Sequence, residues 1–389
     1  SDTWVQQRRY TVPPEIQNGA QVTRVRRQTA MRSTLMGRSQ VGAWQLRGQA
    51  HAQHLQQDWR RFTDATLGTA LGDEAVQSQR FGGGMWGERP VAQRWALRLG
   101  STVQHDRALA QSLNGQQVRG DATVVEPALG MQGQLHPHWQ AALSAGAALP
   151  TGGITPWPEA RLMLRYRPQA DHHEATRQRW ELRWTLARKG RLPSLRERFE
   201  PGFENPDLGP EIDNFGEMRL RLRPLPWLGL GGAGFVRHTE GFIRFNDART
   251  ARVNRGDAVV EGFDTRLDLF PVAGLKLGAA YNQLFAGRQA RDLGIFDNTP
   301  QQRLDGWIEY GWRGKFGTWT RSRWLGSRSE GGEPVPAFWG VDAALWYKPH
   351  PTWRTSLRVD NVLDREQYLR PSVLAPGRSV VLSVDGQWP

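Results

Sequence analysis

The chain has 389 residues, with 51 Lys and Arg against 38 Asp and Glu, a net charge of +13 and a mean hydropathy of −0.61. It holds no Cys, which excludes a disulfide framework, a thiolate metal site and a Cys nucleophile. Hydrophobic residues are only 38%, yet 18 Trp are too many for a disordered chain, and no run approaches the roughly 18 apolar residues of a membrane helix.

The chain opens at Ser1 without a charged-then-apolar leader, the form of a processed chain. Strand character starts near Trp4–Thr11 and continues through Val22–Leu35 and Arg94–Leu99. Ala141–Leu149 is the most apolar stretch and still falls far short of a membrane helix. Period-two alternation, which sends successive residues to opposite faces, then becomes regular. In 160–167, Leu162, Leu164 and Tyr166 alternate with Arg161, Met163, Arg165 and Arg167. In 179–188, Trp180, Leu182, Trp184 and Leu186 alternate with Arg179, Glu181, Arg183 and Thr185. In 217–223, Met218, Leu220 and Leu222 alternate with Glu217, Arg219, Arg221 and Arg223. The pattern recurs over 263–269, 275–281, 303–312, 341–347, 353–359 and 379–388.

The chain is therefore all-β, with about 16–18 antiparallel strands in a single domain over 1–389. A soluble sandwich would alternate too, but no linker or composition break divides this chain. A transmembrane β-barrel turns the apolar face to lipid and the Arg rows to a watery lumen, and it sets Trp and Tyr at the lipid boundary. Connections such as 223–227 and 349–352 are short, whereas 63–76, 189–213 and 288–299 read as long loops.

From Arg191 onward the residues carry more than a pattern. Arg191, Pro193, Ser194 and Phe199 precede a block of Asn205, Pro206, Leu208, Pro210 and Glu211. Gly262 follows in a strand with Asp264 two residues on. Then come Asn361, Leu363, Asp364 and Tyr368, and finally Gly377 and Arg378 before a last strand ending near Trp388. In this order the blocks resemble the second half of a TonB-dependent outer-membrane receptor. Gly209 stands where that family usually has Lys, and Asp264 where it has Glu. The resemblance implies a Gram-negative outer-membrane location, contact with lipid and lipopolysaccharide, and solute uptake. It also implies 22 strands and an N-terminal plug domain, which these first residues do not resemble. A plug supplied as another chain, or a plugless barrel scaffolding other envelope-complex subunits, are the alternatives. The terminal strand, with Val380, Leu382, Val384 and Trp388 on one face, resembles a barrel-insertion signal; an ordinary closing strand has the same pattern.

Other constellations point nowhere further. The Gly229–Gly234 run matches G-x-G-x-x-G but lies inside strand character with no helix after it, so nucleotide binding is not expected. Gly82–Gly84 reads as a bend in the wall. His136 and His138 read as a turn, and His172, His173 and Glu174 as a polar loop, so no metal or other cofactor is expected. No catalytic set stands out, and the chain is not read as an enzyme. The basic rows Arg161, Arg165, Arg167, Arg179, Arg183, Arg219, Arg221 and Arg223 are expected on the lumen face. Carboxylates Glu181, Glu217, Asp264, Asp268, Asp305 and Glu309 share it, and the surplus leaves a cationic field. Because these Arg alternate with Leu and Trp on strands, nucleic acid is not expected as a partner.

Overall fold

The structure, a computed structural model, describes residues 2–12, 22–63, 68–112, 115–168, 180–200, 203–246, 248, 250–287, 298–330, 332–371, 373–375 and 377–386. Among the described residues eighteen strands belong to one sheet, within the 16–18 expected, and six short strands form three further two-stranded ribbons. The chain divides into two compact units.

The first unit comprises Ser1–Leu164, Thr185–Gly216 and Arg237–Ala258. Its ladder is β1 (Asp2–Val12), β2 (Val22–Val41), β3 (Trp44–Phe62), β4 (Ala70–Ala92), β5 (Trp95–Gln111), β6 (Gln117–His136) and β7 (Trp139–Pro150). Each strand pairs antiparallel with the next. A left-handed Gly42 (φ 57°) closes the tight β2–β3 turn, a conformation that β-branched residues avoid. Strands β2 to β6 run 17–23 residues. A transmembrane strand needs only about 9–11. On one face of strands β2 to β7 Met31, Leu35, Phe81, Met85, Leu99, Val103, Leu129, Met131 and Leu143 are exposed. Farther along the same face come Arg27, His54, Gln56, Asp58, Gln77, Gln79, His105 and Arg107, which are polar.

The second unit comprises Arg165–Trp184, Glu217–Val236 and Val259–Pro389. Residues of β8 (Trp157–Tyr166), β9 (Trp180–Arg191), β10 (Glu211–Leu225) and β11 (Leu228–Glu240) are shared out between the units. Between β9 and β10 lies a five-residue helix, α1 (Leu195–Phe199). After β11 comes a ribbon of β12 (Ile243–Phe245) and β13 (Arg252–Asn254). The ladder of the second unit is β14 (Ala258–Leu269), β15 (Leu275–Ala286), β16 (Gln302–Trp312), β17 (Phe316–Leu325), β20 (Phe338–His350), β21 (Trp353–Asp360) and β24 (Ser379–Gly386). Ribbons β18 (Arg328–Glu330) with β19 (Glu333–Val335), and β22 (Tyr368–Arg370) with β23 (Val373–Leu374), lie in its connections.

Register makes the two faces explicit. Leu269, Leu277, Ile308, Thr320, Ala343, Val359 and Val380 stand opposite one another across seven strands. The neighbouring row is Arg266, Ala280, Asp305, Arg323 and Gly340. On the apolar face Ile308, Val380, Leu345 at 61% and Leu382 at 69% are exposed. Exposed apolar side chains from end to end mark a surface solvated by something other than water.

Three expectations change. The 63–76 connection is not all loop, because β4 starts at Ala70. The Trp are not all boundary anchors: several lie on the polar face, each seated over a glycine of the next strand. A Cβ at Gly100 would meet Trp86 at 2.3 Å, one at Gly278 would meet Trp307 at 2.1 Å, and one at Gly317 would meet Trp346 at 2.2 Å. Trp157, 5% exposed, covers Gly190 in the same way. Rings that size fit a pleated face only where the neighbouring strand carries no side chain. Gly82 and Gly84 likewise make room for His51 and Trp86. High Trp and high Gly are thus one packing device.

Candidate functional site

The arginine face of the second unit is built by alternation from strands β8 to β10 and β14 to β17. Three of its carboxylates each hold more than one guanidinium. Glu181 accepts from Arg165 at 2.5 Å and Arg167 at 2.8 Å. Glu217 accepts from Arg183 at 3.0 Å and Arg219 at 2.9 Å. Asp305 accepts from Arg303 at 2.5 Å, Arg321 at 2.9 Å and Arg323 at 3.2 Å. Such charge-assisted bonds fix long side chains against the wall. Each cluster remains cationic, because one carboxylate neutralises one of its two or three Arg. The Nε atoms of Arg165, Arg167, Arg183 and Arg219 are buried without a partner among the described residues, so donor capacity is left over.

Beside Asp305 opens a cleft of about 820 Å³ lined by Arg219, Arg221, Arg223, Arg266, Arg303 and Tyr281, among others. Arg266 is held by Asp268 at 2.7 and 2.8 Å and lies 4.7 Å over the Trp307 ring. Arg223 donates to the Pro226 carbonyl and lies 5.8 Å over Phe270. Arg161 and Arg221 make no ion pair among the described residues. Arg179 lies outside them. Glu309 faces Lys276 at 3.7 Å and is otherwise separate from these clusters.

The residues from Arg191 to Glu211 form a knot in the first unit. Ser194 caps α1 in a capping box with Glu197, and Arg191 bonds both Glu197 at 2.8 Å and Glu211 at 2.7 Å. Glu211, 6% exposed, also accepts the Ile243 amide at 2.7 Å. Pro193 and Leu208 are fully buried. Buried Arg198 donates twice to the Pro206 carbonyl, at 3.1 and 2.7 Å. Asn205 reaches the Arg252 carbonyl at 2.6 Å, tying the knot to ribbon β12–β13. Gly209, in the place of the usual Lys, bonds through its backbone alone: its amide donates to Asn254 and its carbonyl accepts from it. Pro210 ends the block before β10. Beneath lies a core of Ala148, Ile154, Trp157 and Ile212.

Electrostatics match this picture. Burial raises the Glu197 carboxyl, but hydrogen bonds from Arg191 and Ser194 outweigh it and hold the group below its ordinary value. Glu200, opposed by burial in the same way, is lowered by Arg196 and Arg252. Burial lowers Arg198.

The second block is a turn. Asn361 and Asp364 both adopt left-handed φ of 52°, which Asn and Asp tolerate. Asn361 donates its amide to Asp342 and bonds Arg365 in both directions. Asp364 accepts the Arg378 amide at 3.0 Å and its guanidinium at 3.1 Å, which lower its pKa. Gly377 leaves room beside Asp364, and Leu363 is exposed. Tyr368 opens β22, where its carbonyl accepts from Arg328 at 2.6 Å. Gly262 seats the Phe235 ring. Trp388 lies outside the described residues, as do His172, His173 and Glu174. His136 ends β6 and His138 lies in the turn after it, their rings 5.5 Å apart.

Comparison with known proteins decides the family. The family model described as TonB dependent receptor-like, beta-barrel, matches residues 2–362. The chain belongs to this family. No curated protein matches it. Its fold is shared with solved receptors at low identity. The ferric-catecholate import receptor Fiu from K12 E. coli matches with a TM-score of 0.72 and 13% identity, over 95% of this chain and 65% of that one. The copper transporter OprC matches with 0.74 and 13%, over 95% and 66%. A mutant of the ferric enterobactin receptor PfeA from Pseudomonas aeruginosa matches with 0.74 and 14%, over 93% and 62%. The chain thus spans just under two thirds of the length of these receptors.

This TonB-dependent receptor barrel is a protein of the Gram-negative outer membrane. Its exposed apolar face meets lipid. Sequence reasoning missed the partners of the motif residues. Arg252 and Asn254 clamp the first block, while Arg328, bonded to Asn298 and to the Tyr368 and Leu369 carbonyls, pins the second. Nothing local distinguishes these from solvated loop residues.

Proposed function

We propose that the barrel carries a solute across the outer membrane and that its arginine face lines the lumen. The observation that carries this reading is the stoichiometry at Glu181, Glu217 and Asp305, where Arg outnumber carboxylates. A cationic wall confined in a low-dielectric tube concentrates anions. The solute class is therefore anionic. Since the solved relatives are named for ferric-catecholate, ferric enterobactin and copper, a metal complex bearing acidic groups is the candidate.

The test is conductance of the purified protein in planar bilayers across a salt gradient. The expected result is an anion-selective current, or one unmasked by an anionic metal complex, with selectivity reduced in the Arg161→Gln, Arg221→Gln double variant. Those two Arg brace nothing described, so the variant keeps its fold. Cation selectivity would overturn the charge argument. A silent barrel isolated with other envelope subunits would overturn transport itself.

A further inference from the structure

The short-turn end of the second unit carries charge of one sign. Its described turns read Arg223-Pro-Leu-Pro-Trp227, Phe270-Pro-Val-Ala-Gly274, Trp312-Arg-Gly-Lys315 and Lys348-Pro-His-Pro-Thr352, with no Asp or Glu among them. The carboxylates nearest this end, Asp268, Glu309 and Asp385, stand on the arginine face with Arg266, Lys276 and Arg354 as their cationic neighbours. Arg313, Lys315 and Lys348 have no ion-pair partner among the described residues.

These cations adjoin an aromatic row on the lipid-facing side. Trp312, Phe316 and Tyr347 stand opposite one another in register. Phe316 stacks on Tyr347 at 4.6 Å, and Trp312 lies 6.1 Å from Phe316. Left-handed Arg313 (φ 51°) places its guanidinium 5.1 Å over Trp312. The Lys348 amide donates to the Lys315 carbonyl at 2.7 Å, bringing the two lysines side by side. Next to this row, toward the membrane, is a groove of about 390 Å³ lined by Tyr310, Leu345, Leu357 and the Phe316–Tyr347 stack.

We propose that this rim is a binding site for an anionic phospholipid of the periplasmic leaflet. The phosphate lies among Arg313, Lys315 and Lys348, and one acyl chain lies in the Tyr310–Leu345–Leu357 groove. Charge complementarity selects the occupant. An apolar groove alone accepts any lipid, but three uncompensated cations at headgroup level favour a net negative one. Each cation beside a charged bilayer surface is worth roughly a factor of five in affinity. The aromatic row sets the depth, because its rings prefer the interface.

The experiment is lipid retention by native mass spectrometry on the full chain in a neutral detergent. Phosphatidylglycerol and phosphatidylcholine with the same acyl chains are titrated separately. Phosphatidylglycerol should be retained at about a hundredfold lower concentration, a factor of about five for each of the three cations. The R313Q/K315Q/K348Q variant, shown to be folded by its heat-modifiable gel shift, should bind both lipids alike. Inorganic phosphate should not displace the bound lipid, since the groove holds the chain. Equal retention by the unaltered protein overturns the proposal, as does an undiminished preference in the folded variant. Full displacement by phosphate overturns it as well, leaving an ion site only. So does an acidic periplasmic protein that occupies the rim while phosphatidylglycerol fails to compete.

Discussion

Strands β2 to β6 and strands β14 to β24 use the same alternation under different constraints. The later ladder strands are 8–13 residues long and largely apolar on the lipid-facing side. Their length is what a bilayer requires. The earlier strands reach 23 residues, roughly 75 Å at about 3.3 Å per residue, and are apolar on that face mainly near the short turns. Their ion pairs differ as well. Arg80–Asp106 and Arg98–Glu88 are separate pairs, and Asp73, half exposed, holds Arg60 at 2.6 Å and Arg26 at 3.5 Å. Asp305, by contrast, gathers three Arg and is 12% exposed. The carboxylates of these early pairs are more exposed than Glu181, Glu217 and Asp305, which brace the wall of the later strands.

Substitutions can break this contrast. The largest effect is expected at Leu208, which anchors the loop knot of the first unit: Leu208→Ala should cost about 3 kcal/mol, read from the urea midpoint of protein refolded into vesicles. A loss below about 1 kcal/mol would show that the knot is not a packed core. Asp305→Asn leaves three Arg without their shared anion and should cost about 2–3 kcal/mol, discounted because the Arg are two-fifths exposed. Asp73→Asn, in the long-stranded region, should cost no more than about 0.5 kcal/mol. Equal losses at Asp305 and Asp73 would erase the distinction between bracing and exposed pairs.

Gly278→Ala should cost about 2 kcal/mol and shift Trp fluorescence, because the added methyl occupies the Trp307 seat. Gly37→Ala, where a Cβ meets nothing within 4 Å, should be within about 0.5 kcal/mol of neutral. A subtler effect concerns pH. Glu197 and Glu200 titrate below their ordinary value of 4.5 in the folded state, so they bind protons more weakly than in the unfolded chain. Their contribution is full above about pH 4.5 and is lost as pH falls through their lowered folded values. Protection of the α1 amides against hydrogen exchange, relative to their intrinsic rates, should therefore fall below pH 4.5 while the strands hold. Glu197→Gln should flatten that dependence.

The same contrast explains what could be read beforehand. Alternation was plain at 303–312 and 353–359, because lipid on one side and water on the other force opposite chemistry onto successive residues. Over most of β2 to β4 it was faint, since Gln, His, Arg and Asp are acceptable on both faces of a wall bathed in water. That is why 63–76 looked like a loop although β4 begins at Ala70. The two motif blocks were recognisable because their turns demand particular residues: a Ser–Glu capping box at 194 and 197, left-handed Asn and Asp at 361 and 364. Arg252, Asn254 and Arg328 were invisible, because their roles depend on chain segments about 30–55 residues away.

By itself the sequence determined the all-β class, the two-faced strands, the net charge of +13 and the family resemblance. Each of these follows from local periodicity or from turn residues with few substitutes. Only the tertiary structure decided how that charge is distributed, three Arg on Asp305 and two each on Glu181 and Glu217, and which cations remain uncompensated. Only register across strands could show that Trp86, Trp307 and Trp346 sit over glycines instead of marking the membrane boundary. Cross-strand neighbours lie far apart along the chain, so their pairing is a property of the sheet.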